Sequence, residues 1–335
     1  MRVWSRLKDG LERHGRAAMV TVVSAKGSTP REAGARLIVH PDGGFTGTIG
    51  GGTLEWRALA MAQAALAERA PPAFKLRSFA LGPELGQCCG GRMDIALEVF
   101  ESGKAGELDT LVEAEAGGHF TTLARSEGGR MIRRITNDRD VPAGGAEWHH
   151  GTLVEGFGEV LRPLLLFGAG HVGRALTLAL APLPFAVTWI DPRPDAFPAH
   201  VPANVTLLQM ANPLDAIATA PAGAFVLVMT HSHALDLEIV HAALADGRFH
   251  YVGLIGSATK RARFEKRLAE MGVARSRIDE LVSPIGVDGI HSKLPAVIAA
   301  ATTAELLIRD EALRARELSM DAASVGASEG RGGAR

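Results

Sequence analysis

The chain has 335 residues, 47% hydrophobic and 22% charged, with a formal net charge of −1. That size predicts two domains with ample core, and the charge balance offers no basic footprint for nucleic acid and no polybasic arm for an anionic membrane. Apolar runs such as Met19–Val23 and Leu164–Phe167 are far shorter than a membrane span, and the amino terminus carries Arg2, Arg6 and Lys8 but no apolar signal core, so a cytoplasmic protein with reduced thiols is expected.

In chain order, Trp4, Leu7 and Leu11 recur at helical spacing up to His14, and Ala17–Ser24 reads as a buried strand. Lys26-Gly27-Ser28-Thr29-Pro30-Arg31 is a loop, Arg36–His40 and Phe45–Thr48 are short strands, and Gly50-Gly51-Gly52 leads into an Ala- and Leu-rich helix, Thr53–Arg69, stopped by Pro71-Pro72. Phe74–Leu81 and Arg92–Phe100 read as strands, and together these elements make a small α/β domain over 1–103. The signals weaken over 104–161, where glycine pairs separate strands at His119–Ala124 and Met131–Ile135, and a strand-rich connector is expected. From Arg162 strands and helices alternate, predicting a Rossmann-like, doubly wound parallel sheet over 162–313. Beyond Leu313 the chain turns charged and then, from Ala322, small and polar, which predicts a disordered tail over 314–335.

The two cysteines, Cys88 and Cys89, are adjacent, between the strands of the first domain, in Gln87-Cys88-Cys89-Gly90-Gly91. Neighbours in sequence are too constrained for an unstrained disulfide, and two thiols do not complete a structural zinc shell. Two readings remain: small buried hydrophobes in a tight turn, or thiolates that meet a soft ligand or carry sulfur, with Gly90 and Gly91 leaving bare backbone for close approach. Upstream, Gly51, Gly52 and Thr53 open a helix near the glycine-rich segment of Arg31, either as an anion cradle or as a tight strand-to-helix turn.

In the second domain, Leu164–Phe167 runs into Gly168-Ala169-Gly170-His171-Val172-Gly173, the dinucleotide fingerprint between a strand and a helix. Gly168 permits the turn, Gly170 lets backbone approach a phosphate, Gly173 allows close helix packing, and Asp191, about 20 residues on, ends the next strand where a ribose-binding acid belongs. His171 is read as a phosphate donor or a solvated helix-start residue. His231 and His233 follow a later strand at the carboxyl edge of the sheet, without the companion ligands of a metal site. Ser257 is the expected N-cap of a basic helix carrying Lys260, Arg261 and Arg263, which either binds an anion or presents a solvated face.

The ordered set Gly27–Arg31, Gly50–Glu55, Leu81-Gly82-Pro83 with Gln87–Gly91, Phe167–Gly173, Tyr251–Ser257 and Ser283–Gly286 resembles the XdhC/CoxI family, on its xanthine dehydrogenase accessory side, from about Ala17 to about Arg309. The resemblance implies a maturation chaperone, an accessory factor rather than a turnover enzyme. Such a factor binds the molybdenum cofactor, protects it, supports its sulfuration with a cysteine desulfurase and delivers it to the molybdenum subunit of apo-xanthine dehydrogenase. It also implies a homodimer and dealings with cofactor biosynthesis proteins. Under it Cys88 and Cys89 become candidate molybdenum or sulfur ligands, with Gly90, Gly91, Arg31, Gly51, Gly52 and Thr53 beside the cofactor. Ser232 stands where the family often has aspartate. On the chaperone reading the Rossmann-like domain contributes a phosphate or nucleotide site, with Gly168, Gly170, His171, Gly173, Asp191 and Ser257 as its residues. The competing reading is an NAD(P)-dependent oxidoreductase, motivated by Gly168, Gly170, Gly173 and Asp191, with His231 or His233 proposed as acid or base.

Overall fold

The computed structural model describes residues 2–69, 74–82, 90–102, 105–127, 130–139 and 141–329. They form two compact units, Met1–Val160 and Leu161–Arg335.

The first unit opens with α1 (Val3–His14), which buries Trp4, Leu7 and Leu11 on one stripe and ends at Gly15, whose N–H returns to the Leu11 carbonyl. Five antiparallel strands follow as one sheet in the order β3-β2-β1-β5-β4: β1 (Arg16–Lys26), β2 (Arg36–Val39), β3 (Phe45–Gly47), β4 (Phe74–Ala80) and β5 (Arg92–Glu101). The central strand β1 is a continuous buried run because both faces are covered. Ala18, Val20 and Val22 pack with Leu54, Ala58, Ala62 and Ala65 of α2 (Gly52–Ala67), while Ala17 and Met19 pack with Trp4, Leu7 and Phe157. This strand therefore shows no apolar–polar alternation, as a two-sided core strand should not.

Residues 105–157 belong to this unit and do more than connect. The helix α3 (Ala105–Gly117), absent from the sequence reading, places Glu115 over the start of α1, where its carboxylate accepts the N–H groups of Val3, Trp4 and Ser5 at 2.6, 3.2 and 3.0 Å. A carboxylate at a helix N-terminus satisfies orphan donors and complements the dipole. A second antiparallel sheet, in the order β7-β6-β9-β8, comprises β6 (Phe120–Glu127), β7 (Arg130–Thr136), β8 (Ala146–His149) and β9 (Thr152–Phe157). Its Ala124, Ala146 and Leu153 pack on Val23 and Ala96 of the first sheet.

Four buried charges tie the two sheets together. Arg133 of β7 forks onto Glu98 of β5 at 2.8 and 3.0 Å and reaches Glu155 of β9 at 2.5 Å; Arg36 of β2 meets the other Glu155 oxygen at 3.1 Å. The guanidinium groups also lie against rings, Arg36 over Phe157 and Arg133 over Trp4. Two cations matched to two anions leave no net buried charge, the condition under which such a cluster is tolerated.

The second unit is a six-stranded parallel sheet in the order β12-β11-β10-β13-β14-β15, from β10 (Arg162–Phe167), β11 (Phe185–Ile190), β12 (Val205–Leu208), β13 (Phe225–Val228), β14 (Tyr251–Leu254) and β15 (Leu281–Val282). Between them run α4 (His171–Leu180), α5 (Leu214–Thr219), α6 (His233–Asp246), α7 (Ala258–Glu270) and α8 (Arg275–Ile278). Two separate hydrophobic clusters, one around Phe167, Val226 and Leu254 and one around Leu166, Phe225 and Trp189, cover the two faces, which makes this a doubly wound Rossmann sheet.

The last helix, α9 (Pro295–Glu329), continues past residue 313, where the sequence reading begins a disordered tail. Its path there is held by charge: Asp310 accepts from Arg162 at 2.7 Å and from Arg314 at 2.6 Å, and Arg162 also reaches Glu317 at 3.2 Å. Directly past 313, Arg314, Ala315, Arg316, Glu317 and Leu318 are all strong helix formers. Among the described residues no helix is long and apolar enough to cross a membrane.

Glu155→Gln is expected to destabilise the first unit by about 3–5 kcal/mol, because it leaves buried guanidinium charge without its partner. Burial opposes ionisation of Glu155, yet Arg133 and Arg36 outweigh it and hold the carboxyl below its ordinary value of 4.5. A depressed folded pKa contributes stability above the unfolded value and loses it as pH falls through the folded one. The difference in urea midpoint between wild type and variant should be full at neutral pH and narrow progressively below pH 4.5.

Candidate functional site

The three glycine-rich segments of the first unit meet. Ala80 at the end of β4 pairs with Arg92 at the start of β5, so the intervening connection leaves and rejoins the sheet at one place. Leu81 N–H donates to the Gly91 carbonyl at 3.0 Å, and Gly91 N–H donates to the Ser28 carbonyl at 3.1 Å. A Cβ on Gly91 would lie 2.4 Å from the Ser28 oxygen and 2.6 Å from the Lys26 oxygen, so backbone rests on backbone here and only glycine fits. On its other side the same loop sets the Pro30 ring against Gly50, 2.6 Å from where a Cβ would be. Segments 26–31, 50–53 and 90–91 thus form one continuous patch. Cys88 and Cys89, the cysteines assigned to molybdenum or sulfur, lie outside the described residues, directly before Gly90.

The start of α2 is partly self-satisfied. Glu55 turns its Oε2 back to accept from the Thr48 hydroxyl at 2.6 Å and from the N–H groups of Ile49 and Gly51 at 3.0 and 3.1 Å. Burial pushes this carboxyl up, but those donors prevail and hold it below the ordinary range. Gly51 N–H, assigned to an anion on sequence, is therefore spent on Glu55, while Gly52 and Thr53 are exposed at the helix start. Arg31 stands at the same patch and pairs with its exposed neighbour Glu32 at 2.9 Å. A pair of that kind contributes little and is readily exchanged for another anion. Gly90 is exposed, with nothing within 4 Å of a Cβ built on it.

In the second unit the loops after β10 and β13 meet at the switch point of the sheet. A Cβ on Gly168 (φ 110°) would lie 2.3 Å from the Met229 carbonyl oxygen, and one on Gly173 would lie 2.3 Å from the Gly168 oxygen. Gly170 faces open space and His171, the first residue of α4, is exposed. On the facing loop His231 and His233 are exposed, with His233 Nδ1 3.0 Å from Arg263 Nη2. Ser232 caps α6 by accepting from Leu235 N–H, and Ser257 caps α7 by accepting from Lys260 N–H, both at 3.3 Å. Serine thus performs at position 232 the capping an aspartate would also perform.

Sequence reasoning missed the partner of Lys260. Its Nζ is buried against Asp236 at 2.7 Å and the Ile255 carbonyl at 3.0 Å, while the other Asp236 oxygen takes the Thr230 hydroxyl and N–H. Lys260 therefore belongs to a buried ion pair, and the exposed cation of that helix start is Arg263. An acid in the first turn of α6 was the available signal, but its partner 24 residues on is set by adjacency of β13 and β14 in the sheet. Among the described residues no group of three or more His, Cys, Asp or Glu could hold a metal ion.

Asp191 closes β11 with a buried carboxylate that accepts Ala169 N–H at 2.7 Å, Arg193 Nη2 at 2.8 Å, Arg193 Nε at 2.9 Å and Arg193 N–H at 3.0 Å. Burial alone would raise its pKa; the Arg193 and Ala169 donors bring it below the usual carboxylate value.

Gly91→Ala is expected to cost about 1–3 kcal/mol or more, since the atoms it strikes are backbone and cannot swing aside. Gly90→Ala, in open space, should stay within about 0.5 kcal/mol of wild type in the same thermal or urea unfolding experiment.

Comparison with known proteins agrees with this architecture. The XdhC Rossmann domain family matches residues 164–306, and the XdhC and CoxI family matches residues 11–79. A crystal structure from Bacillus halodurans, described as that of a xanthine dehydrogenase, superposes with a TM-score of 0.74 at 22% identity, covering 93% of this chain and 96% of that one. At that identity the likeness speaks for the fold. The uncharacterized protein YqeB of Escherichia coli (strain K12) is 29% identical over 296 residues, 87% of this chain and 43% of that protein, so the chain spans less than half the length of this relative. With both family matches in chain order on the two units built above, the chain belongs to the XdhC and CoxI family.

Proposed function

We propose that this protein is a maturation factor for a molybdenum enzyme. It takes up the molybdenum cofactor as cargo, shields it, supports its sulfuration by a cysteine desulfurase and passes it to the molybdenum subunit of apo-xanthine dehydrogenase. It acts in the cytoplasm as a homodimer, in exchange with the proteins that synthesise the cofactor. The observation that carries this reading is the meeting of segments 26–31, 50–53 and 90–91 in one patch, immediately next in sequence to the two cysteines.

The chemistry suits a pterin phosphate joined to a soft metal. Gly52 and Thr53 at an exposed helix start and the exchangeable Arg31 offer donors to a phosphate, with Gly51 held in place by Glu55 rather than donating outward. Thiolates of Cys88 and Cys89 suit molybdenum or a transferable sulfur, and the bare faces of Gly90 and Gly51 give a bulky cargo room to approach. In the second unit the glycine turn with Gly170 open, His171 beside it and exposed His231 and His233 on the facing loop lies at the switch point of the sheet, where folds of this kind offer a crevice to a nucleotide. The sheet order also supports the alternative of an NAD(P)-dependent oxidoreductase, with His231 or His233 as its acid or base.

The test is to mix wild type, Cys88→Ala, Cys89→Ala and Gly90→Val with molybdenum cofactor and quantify pterin and molybdenum that co-elute. Wild type should retain both. The cysteine variants should lose molybdenum in preference to pterin, and Gly90→Val should lose both while unfolding at the wild-type temperature. No retention by wild type overturns the chaperone reading, and equal retention by all four removes this patch and its cysteines from the site. Nicotinamide turnover by the wild type with a small substrate would favour the oxidoreductase.

A further inference from the structure

In a dinucleotide-binding sheet, the acid ending the second strand ordinarily accepts the ribose hydroxyls, and an arginine nearby instead accommodates a 2′-phosphate. Asp191 occupies the acid's position, but both its oxygens are spent. One takes Ala169 N–H and Arg193 Nη2, the other Arg193 Nε and Arg193 N–H. A carboxylate offers about four acceptor sites, so a ribose diol, which must donate, finds none open. To bind there it would have to displace a forked guanidinium, one of the strongest hydrogen-bonded pairs available.

Arg193 presents the opposite chemistry. Its side chain is 45% exposed while that of Asp191 is 1% exposed, so the pair turns its cationic member to the surface. Nε and Nη2 face the acid, and Nη1 is not engaged among the described residues. The loop that carries it is held on both sides. Arg174 of α4 donates to the Ala196 carbonyl at 2.8 Å, and Phe197 meets Trp189 edge-on with ring centroids 5.3 Å apart. The arginine therefore stands ready beside the glycine turn, since Ala169 and Arg193 share the same carboxylate.

We propose that the second unit selects a nucleotide whose ribose carries a 2′-phosphate, NADP or NADPH, over its unphosphorylated counterpart, with Arg193 as the residue that determines the choice. The inference rests on the reading of the crevice as a nucleotide site and adds its specificity. A 2′-phosphate accepts from the free edge of Arg193 without breaking the bonds to Asp191, whereas the 2′-hydroxyl of NAD meets a saturated acid.

The experiment titrates the full-length protein with NADPH and NADH, following nicotinamide fluorescence, and then competes bound NADPH with 2′,5′-ADP and with 5′-AMP. NADPH should bind roughly tenfold or more tightly than NADH, the contribution of one or two bonds to a charged group, and only 2′,5′-ADP should displace it. Arg193→Met, which frees Asp191, should bring the two dinucleotides to parity, and Arg193→Lys should retain part of the preference. Equal affinity in the wild type, or an unchanged NADPH-to-NADH ratio in folded Arg193→Met, overturns the selectivity while leaving a nucleotide site standing. No response to either dinucleotide overturns both. The wild-type ratio decides even where a variant does not fold.

Discussion

Backbone packed directly on backbone is the constraint on which both candidate sites depend. In the first unit Gly91 lies on the carbonyls of Lys26 and Ser28, and in the second Gly168 lies on the carbonyl of Met229. A side chain at either position would hold the loops apart. Each contact joins segments far separated in sequence, and each brings exposed glycine faces, Gly90 in one unit and Gly170 in the other, to the border of the junction. The absence of Cβ atoms thus has two consequences: it lets the loops close against each other and leaves bare backbone at their border.

In both units carboxylates fill backbone donor sites that would otherwise stay open. Glu55 takes N–H groups at the start of α2, Glu115 takes three at the start of α1, and Asp191 takes the N–H of Ala169 within the glycine fingerprint. Basic residues divide the same way. Arg36, Arg133 and Lys260 are consumed by buried acids, whereas Arg31 and Arg193 remain at the surface with only part of their hydrogen-bonding capacity committed. The division follows burial. A cation removed from water must be paired, and one left at the rim can exchange partners.

The functional reading follows from this division. The first unit combines an exposed helix start, an exchangeable arginine and open glycine backbone, the setting from which the proposed binding of a phosphate-bearing cargo is argued. The second unit is a Rossmann sheet in which Asp191, at the end of the second strand, is masked by an arginine. The two units thus differ in the chemistry they expose: open backbone N–H groups and an arginine at a helix start in one, and an arginine over a buried acid in the other.

Local pattern determined much of this in advance. The spacing of Trp4, Leu7 and Leu11 specified α1, continuous apolar runs specified β1 and β10 as two-sided core strands, and Gly168-Ala169-Gly170-His171-Val172-Gly173 specified the strand–turn–helix of the Rossmann sheet. Those features rest on interactions within a few residues, which periodicity records. Within 104–161 the pattern marks strands only near β6 and β7 and leaves out α3, which mixes acids and glycines; the strands take their place through Glu98, Arg36, Arg133 and Glu155, charges that look solvent-facing until four elements bring them together. The sequence by itself determined the α/β class, a small first domain ahead of a Rossmann sheet. Only tertiary structure decided which charges are free, because pairing depends on the distance between strands adjacent in a sheet and distant in the chain, so that Asp191, a ribose acceptor by position, is a saturated acid in the fold.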